Sequence, residues 1–249
     1  MNNQSKRLYY YCKLSTAIEK ILPNKQLLLN QLGKTNDPRE YKSFIFAKKK
    51  MSIKDLLDNH SSNEHITNLI RNHCKMLCFS IDHNDFFGYE YSRMWALYGE
   101  NHKGVCVALD KEKFMEENKN IIKPEFFKEI EYFEFKVTKS EEHIEIDYDK
   151  IRNGGLYAYI IGDLRPKNIN YLFFTKNKEW ESEHEYRLIY FSQSKEAEYC
   201  SINNCIDAIY LGIDFNMNYL PSIRENILNI HAYTLDYKGV RLVPYKIFN

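Results

Sequence analysis

Glycine and proline are scarce in this chain, nine and six in 249 residues. That scarcity excludes collagen-like and Pro/Gly-rich disordered classes. Most turns must then be made by Asn, Asp and Ser, which cap their own backbone. Cysteine is also limited: six in 249 residues do not make a disulfide scaffold. Cys74 and Cys78 form one close pair and Cys200 and Cys205 another, but neither has C-x-x-C spacing with a matching second half. The cysteine pattern is therefore only a weak signal for a structural zinc, and the thiols read as buried and reduced, with Cys78 and Cys106 in apolar strand-like runs. No run approaches the roughly 18–20 apolar residues that span a bilayer. The first residues, MNNQSKRLYYYCK, lack the apolar centre of a signal peptide. Both absences lead us to expect a cytoplasmic protein with no membrane partner.

An excess of charge of either sign is missing too. Thirty-five basic residues nearly balance 34 acidic ones, for a net charge of +1. Nothing global attracts the chain to nucleic acid or to an acidic membrane. The dense basic run, AKKKM at 47–51, reads as a solvated face. There is no repeat and no low-complexity linker, so a single domain over 1–249 is expected. The phosphate loop G-x-x-x-x-G-K-[ST], the G-x-G-x-x-G fingerprint, the G-x-S-x-G elbow and the H-E-x-x-H pair are all absent.

What the chain does have is apolar and aromatic mass: 44% hydrophobic residues, 20 tyrosines and 15 phenylalanines. That is enough for a sizeable core. The spacing predicts strands at 7–12, 26–29, 76–80, 105–109, 129–137, 185–191, 208–213, 232–236 and 241–247. It predicts helices at 15–22, with Ser15 as N-cap, and at 52–59, 63–75, 90–102 and 219–228, and a largely helical stretch over 147–175. TNDPRE at 35–40 reads as a turn. Strands and helices mix without regular alternation. The expected fold is α+β, with a mixed, largely antiparallel sheet and flanking helices.

One stretch stands out chemically: EWESEHEYRLIYF, Glu179 to Phe191. Read as a strand, it places Glu181, Glu183, Glu185 and Arg187 on one face. Like charges in a row raise a pKa if the face lines a cleft. Read as a helix, Glu183 and Arg187 form an i,i+4 ion pair on a solvated surface. The following RLIYF favours a strand from Glu183 onward. Elsewhere, Asp82, His83 and Asp85 read as a capped turn that could hold a metal. His102 near a helix end suits a structural cation. Trp95 and Trp180 could stack on a flat ring or simply fill the core.

Four segments, taken in order, resemble the bacterial domain of unknown function 2971 family. They are LYYYCKLSTAIEKI (8–21); NDPRE (36–40); CFS (78–80) with MWALYGENHKGVCVALD (94–110); and FFTKNKEWESEHEYRLIY (173–190). The last two carry Trp-x-x-Tyr, His-x-Gly and a Lys followed by Trp-x-x-Glu-x-Glu-aromatic-Arg. Some members resemble abortive-infection proteins, and the order of elements is remotely similar to ADP-ribosyltransferases. This resemblance implies NAD as substrate. Tyr10 or Tyr11 would take the first-strand position, where that superfamily has His or Arg. Ser80 would lie near the nicotinamide ribose, and Glu183 or Glu185 would be catalytic. Trp95, Tyr98, His102 and Arg187 would complete the NAD-binding set, with Tyr11 and Trp95 around the nicotinamide ring.

The implied activity is that of an NAD-dependent ADP-ribosyltransferase or NAD glycohydrolase. It would act in anti-phage defence or as a toxin, on an acceptor protein or nucleic acid, alongside a partner protein of a defence system. Two other readings of the same residues stand beside it. One is a hydrolase or nuclease with Mg²⁺ on Glu183, Glu185 and Asp37. The other is a non-catalytic binding module. The expectation that separates them is geometric: Tyr10 or Tyr11, Ser80, Trp95, His102 and Glu183 or Glu185 should line one cleft.

Overall fold

The computed structural model describes residues 6–34, 37, 46–48, 67–134, 144–163, 166–194, 196–227 and 229–248. Among these, the strands are β1 (Arg7–Cys12), β2 (Gln26–Leu28), β3 (Asn30–Gln31), β4 (Phe46–Lys48) and β5 (Cys74–Ser80). Then come β6 (Val105–Asp110), β7 (Phe127–Glu129), β8 (Glu131–Phe133), β9 (Ile144–Ile146) and β10 (Thr175–Asn177). Last are β11 (Glu185–Phe191), β12 (Tyr199–Ser201), β13 (Ile206–Leu211), β14 (His231–Lys238) and β15 (Arg241–Phe248). Nine of them make the main sheet, in the order β15-β14-β13-β6-β1-β5-β11-β7, with β3 beside β5. Its pairings are antiparallel except β13 with β14. The fold is α+β with a mixed, mostly antiparallel sheet and flanking helices, as its element order led us to expect.

The central strands are apolar on both faces, because both faces are covered. Leu8 and Cys12 of β1, Val105, Val107 and Leu109 of β6, and Leu77 and Phe79 of β5 share one core. The helical segment made of Leu14–Thr16, Ala17–Ile21 and Leu22–Asn24 covers them with Ala17, Ile21 and Leu22. Tyr9 and Tyr11 alternate to the opposite face, where they pack with Met94 and Trp95 of the helix Ser92–Leu97. Trp95 is fully buried. A ring of that kind hides about 150–250 Å², or about 4–6 kcal/mol of transfer free energy. A third core joins Met76 and Ile189 to Phe173, Phe174, Tyr159 and Ile160 from the helical stretch.

The site depends on one feature of the sheet. β1 and β6 are in register along all six residues of β1, Arg7 to Cys12. β1 and β5, by contrast, meet at the single pair Tyr9↔Ser80. Beyond that pair β5 continues with β11 on one side, and β3 joins its far end at Met76 and Lys75. The two strands part there and leave a gap in the middle of the sheet.

The local expectations hold for most elements and fail at their ends. Ser15 does not cap the first helix. Lys13 occupies that position without a side-chain bond, and Ser15 lies inside the first turn. Residues 74 and 75 are strand rather than helix, since pairing with Phe191 and Tyr190 extends β5 backwards. Where the strand expected over 129–137 is described, up to residue 134, there are two short ones, β7 on the main sheet and β8 parallel to β10. The turn at 35–40, the basic run beyond residue 48, the helix at 52–59 and residues 63–66 lie outside the described residues, except Asp37, which is buried.

Candidate functional site

A cavity of about 180 Å³ occupies the gap between β1 and β5. Its walls are the residues that the parting strands expose: Tyr9, Tyr10 and Tyr11 from β1, and Met76 to Ser80 from β5. β3 adds Asn30 and Gln31 at the end where it pairs with β5. Met94 and Tyr98 enter from the helix Ser92–Leu97 and its C-cap. Lys176, Glu183 and Glu185 close the polar side.

Those three charges arrive through a short, sequence-encoded turn. Asn177 ends β10, and its side chain accepts from Glu179 N at 3.2 Å, capping a 3-10 helix over Lys178–Glu183. Three residues per turn place Trp180 directly in line with Glu183. His184 then takes a left-handed conformation, φ 43°, which ends the helix and starts β11 at Glu185. The expected strand face carrying Glu181, Glu183, Glu185 and Arg187 is therefore corrected. Glu183 belongs to the helical turn, and only Glu185 and Arg187 alternate on one strand face. Glu183 and Glu185 still converge, because the left-handed residue between them folds the chain back. Glu179 and Glu181, read as the charged approach, are exposed.

Four buried charges form one network. Lys176 Nζ lies 2.8 Å from Glu183 Oε2 and 2.7 Å from Glu185 Oε2. Arg187 grips Glu185 with Nε at 2.6 Å and Nη2 at 3.1 Å, and its Nη1 donates to the Phe173 carbonyl at 2.8 Å. Tyr98 donates its hydroxyl to Glu183 Oε1 at 2.8 Å. The Glu185 N–H donates to the Tyr132 hydroxyl at 2.9 Å. Two carboxylates and two cations leave the network neutral, which is how such charges survive removal from water. Burial alone would push the Glu185 carboxyl up. The Arg187 guanidinium and the Lys176 ammonium reverse that and hold it well below the usual carboxylate range. Burial pushes the phenols of Tyr10 and Tyr11 and the Cys78 thiol upward, so all three stay neutral.

Of the residues singled out from sequence, Tyr10, Tyr11, Ser80, Tyr98, Glu183 and Glu185 line this one cavity. The Ser80 hydroxyl is fully buried, with no hydrogen-bond partner among the described residues. Trp95, His102 and Arg187 are not among the lining residues. Trp95 packs edge-on against Tyr11, ring centroids 4.9 Å apart, and donates to the Tyr89 carbonyl. It backs Tyr11 instead of facing a ligand across from it. Arg187 engages Glu185 as described. His102 sits in a run of left-handed residues, Glu100, Asn101 and His102, with φ of 53°, 49° and 67°. Its carbonyl accepts from Asp214 N, while its Nδ1 is buried without a hydrogen-bond partner among the described residues.

Lys176, Cys78 and Tyr132 carry polar roles that sequence reasoning did not assign. The lysine belongs to the segment that precedes the tryptophan, but Lys178 stands there too and four glutamates follow, so spacing alone does not single out Lys176. Asp82, His83 and Asp85 do not assemble a metal site. His83 stacks on His184 at 4.2 Å, and Asp82 accepts from Gly88 N. Among the described residues, no three His, Cys, Asp or Glu converge as metal ligands. No helix among them is long and apolar enough to cross a membrane.

Fold and site together define an α+β protein with a charge-compensated, tyrosine-lined cavity between two parted strands of its sheet. Residues 94–188 match the model of a family described as protein of unknown function (DUF2971). The resemblance read from the sequence motifs holds over this segment, which carries Tyr98, Lys176, Glu183, Glu185 and Arg187. No curated protein and no solved structure matches the chain.

Proposed function

We propose that this protein binds NAD with the nicotinamide–ribose end in the cavity and cleaves the bond between them, as an ADP-ribosyltransferase or NAD glycohydrolase. One observation carries the reading. The gap between β1 and β5 gathers four tyrosines, a buried hydroxyl without a hydrogen-bond partner among the described residues, and two carboxylates around one space. A flat ring can stack on Tyr10 or Tyr11. The Ser80 hydroxyl gains the hydrogen bond it lacks among the described residues.

In this reaction the C1′–N bond breaks and its electron pair goes to the ring nitrogen, releasing neutral nicotinamide. Positive charge develops on the ribose, and a nearby carboxylate stabilises it. Water or an acceptor hydroxyl then bonds to C1′ and gives up its proton to a carboxylate acting as base. The two glutamates divide this labour. Glu185 is held by three contacts, two from Arg187 and one from Lys176, and acts as the brace. Glu183 shares only Lys176 with it and is the working carboxylate. NAD consumption of this kind suits a toxin or an anti-phage effector, with a protein or nucleic acid as acceptor.

The saturation of both carboxylates by buried cations favours a second reading, a binding module without turnover. The Mg²⁺ hydrolase is less well supported, because Asp37 does not line the cavity. Chromatography of nicotinamide released from NAD, together with calorimetry of NAD binding, separates the cases. Release that drops about 100-fold in Glu183→Gln, with the fold retained, supports cleavage. Binding without release supports the module. Absence of both binding and release would sink the NAD reading.

A further inference from the structure

We infer that Trp180 and Arg93 form an outer anion subsite on the cavity rim, which takes the diphosphate of a dinucleotide whose nicotinamide–ribose end lies inside. The inference rests on the NAD reading and deepens it. The interior is poorly suited to a phosphate. Two carboxylates line it, and Lys176 bridges both of them at 2.7–2.8 Å. Arg187 is clamped on Glu185 behind the wall. A phosphate inside would face two negative charges and compete for cations already held by carboxylates. The anionic part of the ligand must therefore leave the cavity.

The rim offers it a place. Trp180 lies one 3-10 turn before Glu183 and on the same face, so it flanks the polar wall directly. Lys176 Nζ, which lines the cavity, is 5.4 Å from the centre of the Trp180 ring. The Arg93 guanidinium sits 5.2 Å from the same ring centre. Arg93 precedes Met94 in the helix Ser92–Leu97, and Met94 and the following Tyr98 both line the cavity. Thus the two elements that deliver Glu183 and Tyr98 to the cavity also deliver these two to its edge. Arg93 is exposed, and its Nη1 donates to the Glu179 carbonyl at 2.9 Å. Among the described residues, no carboxylate is paired with it. The guanidinium fork is thereby oriented by Trp180 and Glu179, with donors left to accept a phosphate in two-pronged fashion.

The test is isothermal titration of NAD and of nicotinamide riboside, which lacks the diphosphate, into the wild-type protein and Arg93→Gln. The expected result is wild-type affinity for NAD about tenfold tighter than for the riboside. Arg93→Gln removes that margin by weakening NAD. Raising the salt concentration shrinks the margin in the wild type but not in the variant. Equal affinity of the wild-type protein for NAD and the riboside overturns the subsite and leaves the cavity assignment standing. So does an NAD preference that survives in Arg93→Gln. Binding of neither compound by the wild-type protein overturns the cavity assignment itself, and the subsite with it.

Discussion

Tyr9 and Ser80 are the one pair at which β1 and β5 are in register. Everything chemically interesting about the protein lies where that pairing stops. A central sheet that continued in register would have buried Tyr11 against Cys78 and left no space between the strands. Instead β1 stays with β6, and β5 stays with β11 and β3. Side chains from outside these two strands close the gap, and the charged groups at its edge come as a neutral set. A cavity in the middle of a sheet needs such a set, because an uncompensated charge there costs several kcal/mol.

Lys176 is the member of that set with most to lose. It is buried and contacts both glutamates. Lys176→Met leaves two buried carboxylates with one cation, Arg187, which is clamped on Glu185. The expected loss of stability is about 3–5 kcal/mol, the range for removing one partner of a buried pair. Lys176→Arg keeps the charge and should recover part of it. Urea denaturation of the three proteins measures both effects. A loss below about 1 kcal/mol in Lys176→Met would show that the network does not stabilise the fold.

Much of the fold was legible in the sequence because periodicity reports burial. RLYYYC, VCVAL and EYRLIYF are strands buried on both faces, and unbroken apolar or aromatic runs say so. The site was half legible. Tyr10, Tyr11, Ser80, Tyr98, Glu183 and Glu185 share one cavity because family motifs marked them, not because of their spacing. The spacing misled at Glu183. A strand pattern runs through it, but the left-handed backbone at His184 breaks the alternation. No propensity flags a histidine for positive φ as strongly as it would Gly or Asn. Lys176 stayed hidden for another reason. Its partners are seven and nine residues away, and only the 3-10 turn between them brings the three together.

That same left-handed histidine makes stability depend on pH. The His184 ring stacks on His83 at 4.2 Å and lies 4.9 Å from Tyr91. Burial, and then the neighbouring His83, lower its pKa from 6.5 to about 4, with Glu181 acting in the opposite sense. Between those values the unfolded chain binds a proton that the folded one refuses. His184 therefore contributes stability above about pH 6.5 that is lost as the pH falls towards 4. Glu185, whose pKa is also depressed, loses its contribution only below its unfolded value of 4.5. The interval from pH 6.5 to 4.5 thus reports on the histidine. Denaturation midpoints should fall across it in the wild type and stay flatter in His184→Asn, since asparagine tolerates the same φ. Identical slopes in the two proteins would remove His184 as the cause.

The glycine of the His-x-Gly motif has a packing reason that can be tested without knowing the ligand. A Cβ on Gly104 would lie 2.3 Å from the Cys12 carbonyl oxygen, where β1 ends beside the start of β6. A Cβ on Gly212 would lie 2.1 Å from the His102 carbonyl oxygen. Both obstacles are backbone atoms, and they cannot swing aside as a side chain would. The two glycines also touch each other's segments, since Gly212 N donates to Gly104 O at 3.1 Å. Gly104→Ala and Gly212→Ala should therefore each cost about 2–3 kcal/mol, the upper end for overpacking. Gly162, at the end of the helix Leu156–Gly162, meets nothing within 4 Å of such a Cβ. Gly162→Ala should be neutral or stabilising by up to about 1 kcal/mol. Urea midpoints for the three variants rank them. If Gly104→Ala were as stable as Gly162→Ala, the close approach of Cys12 would not be what requires glycine at that position.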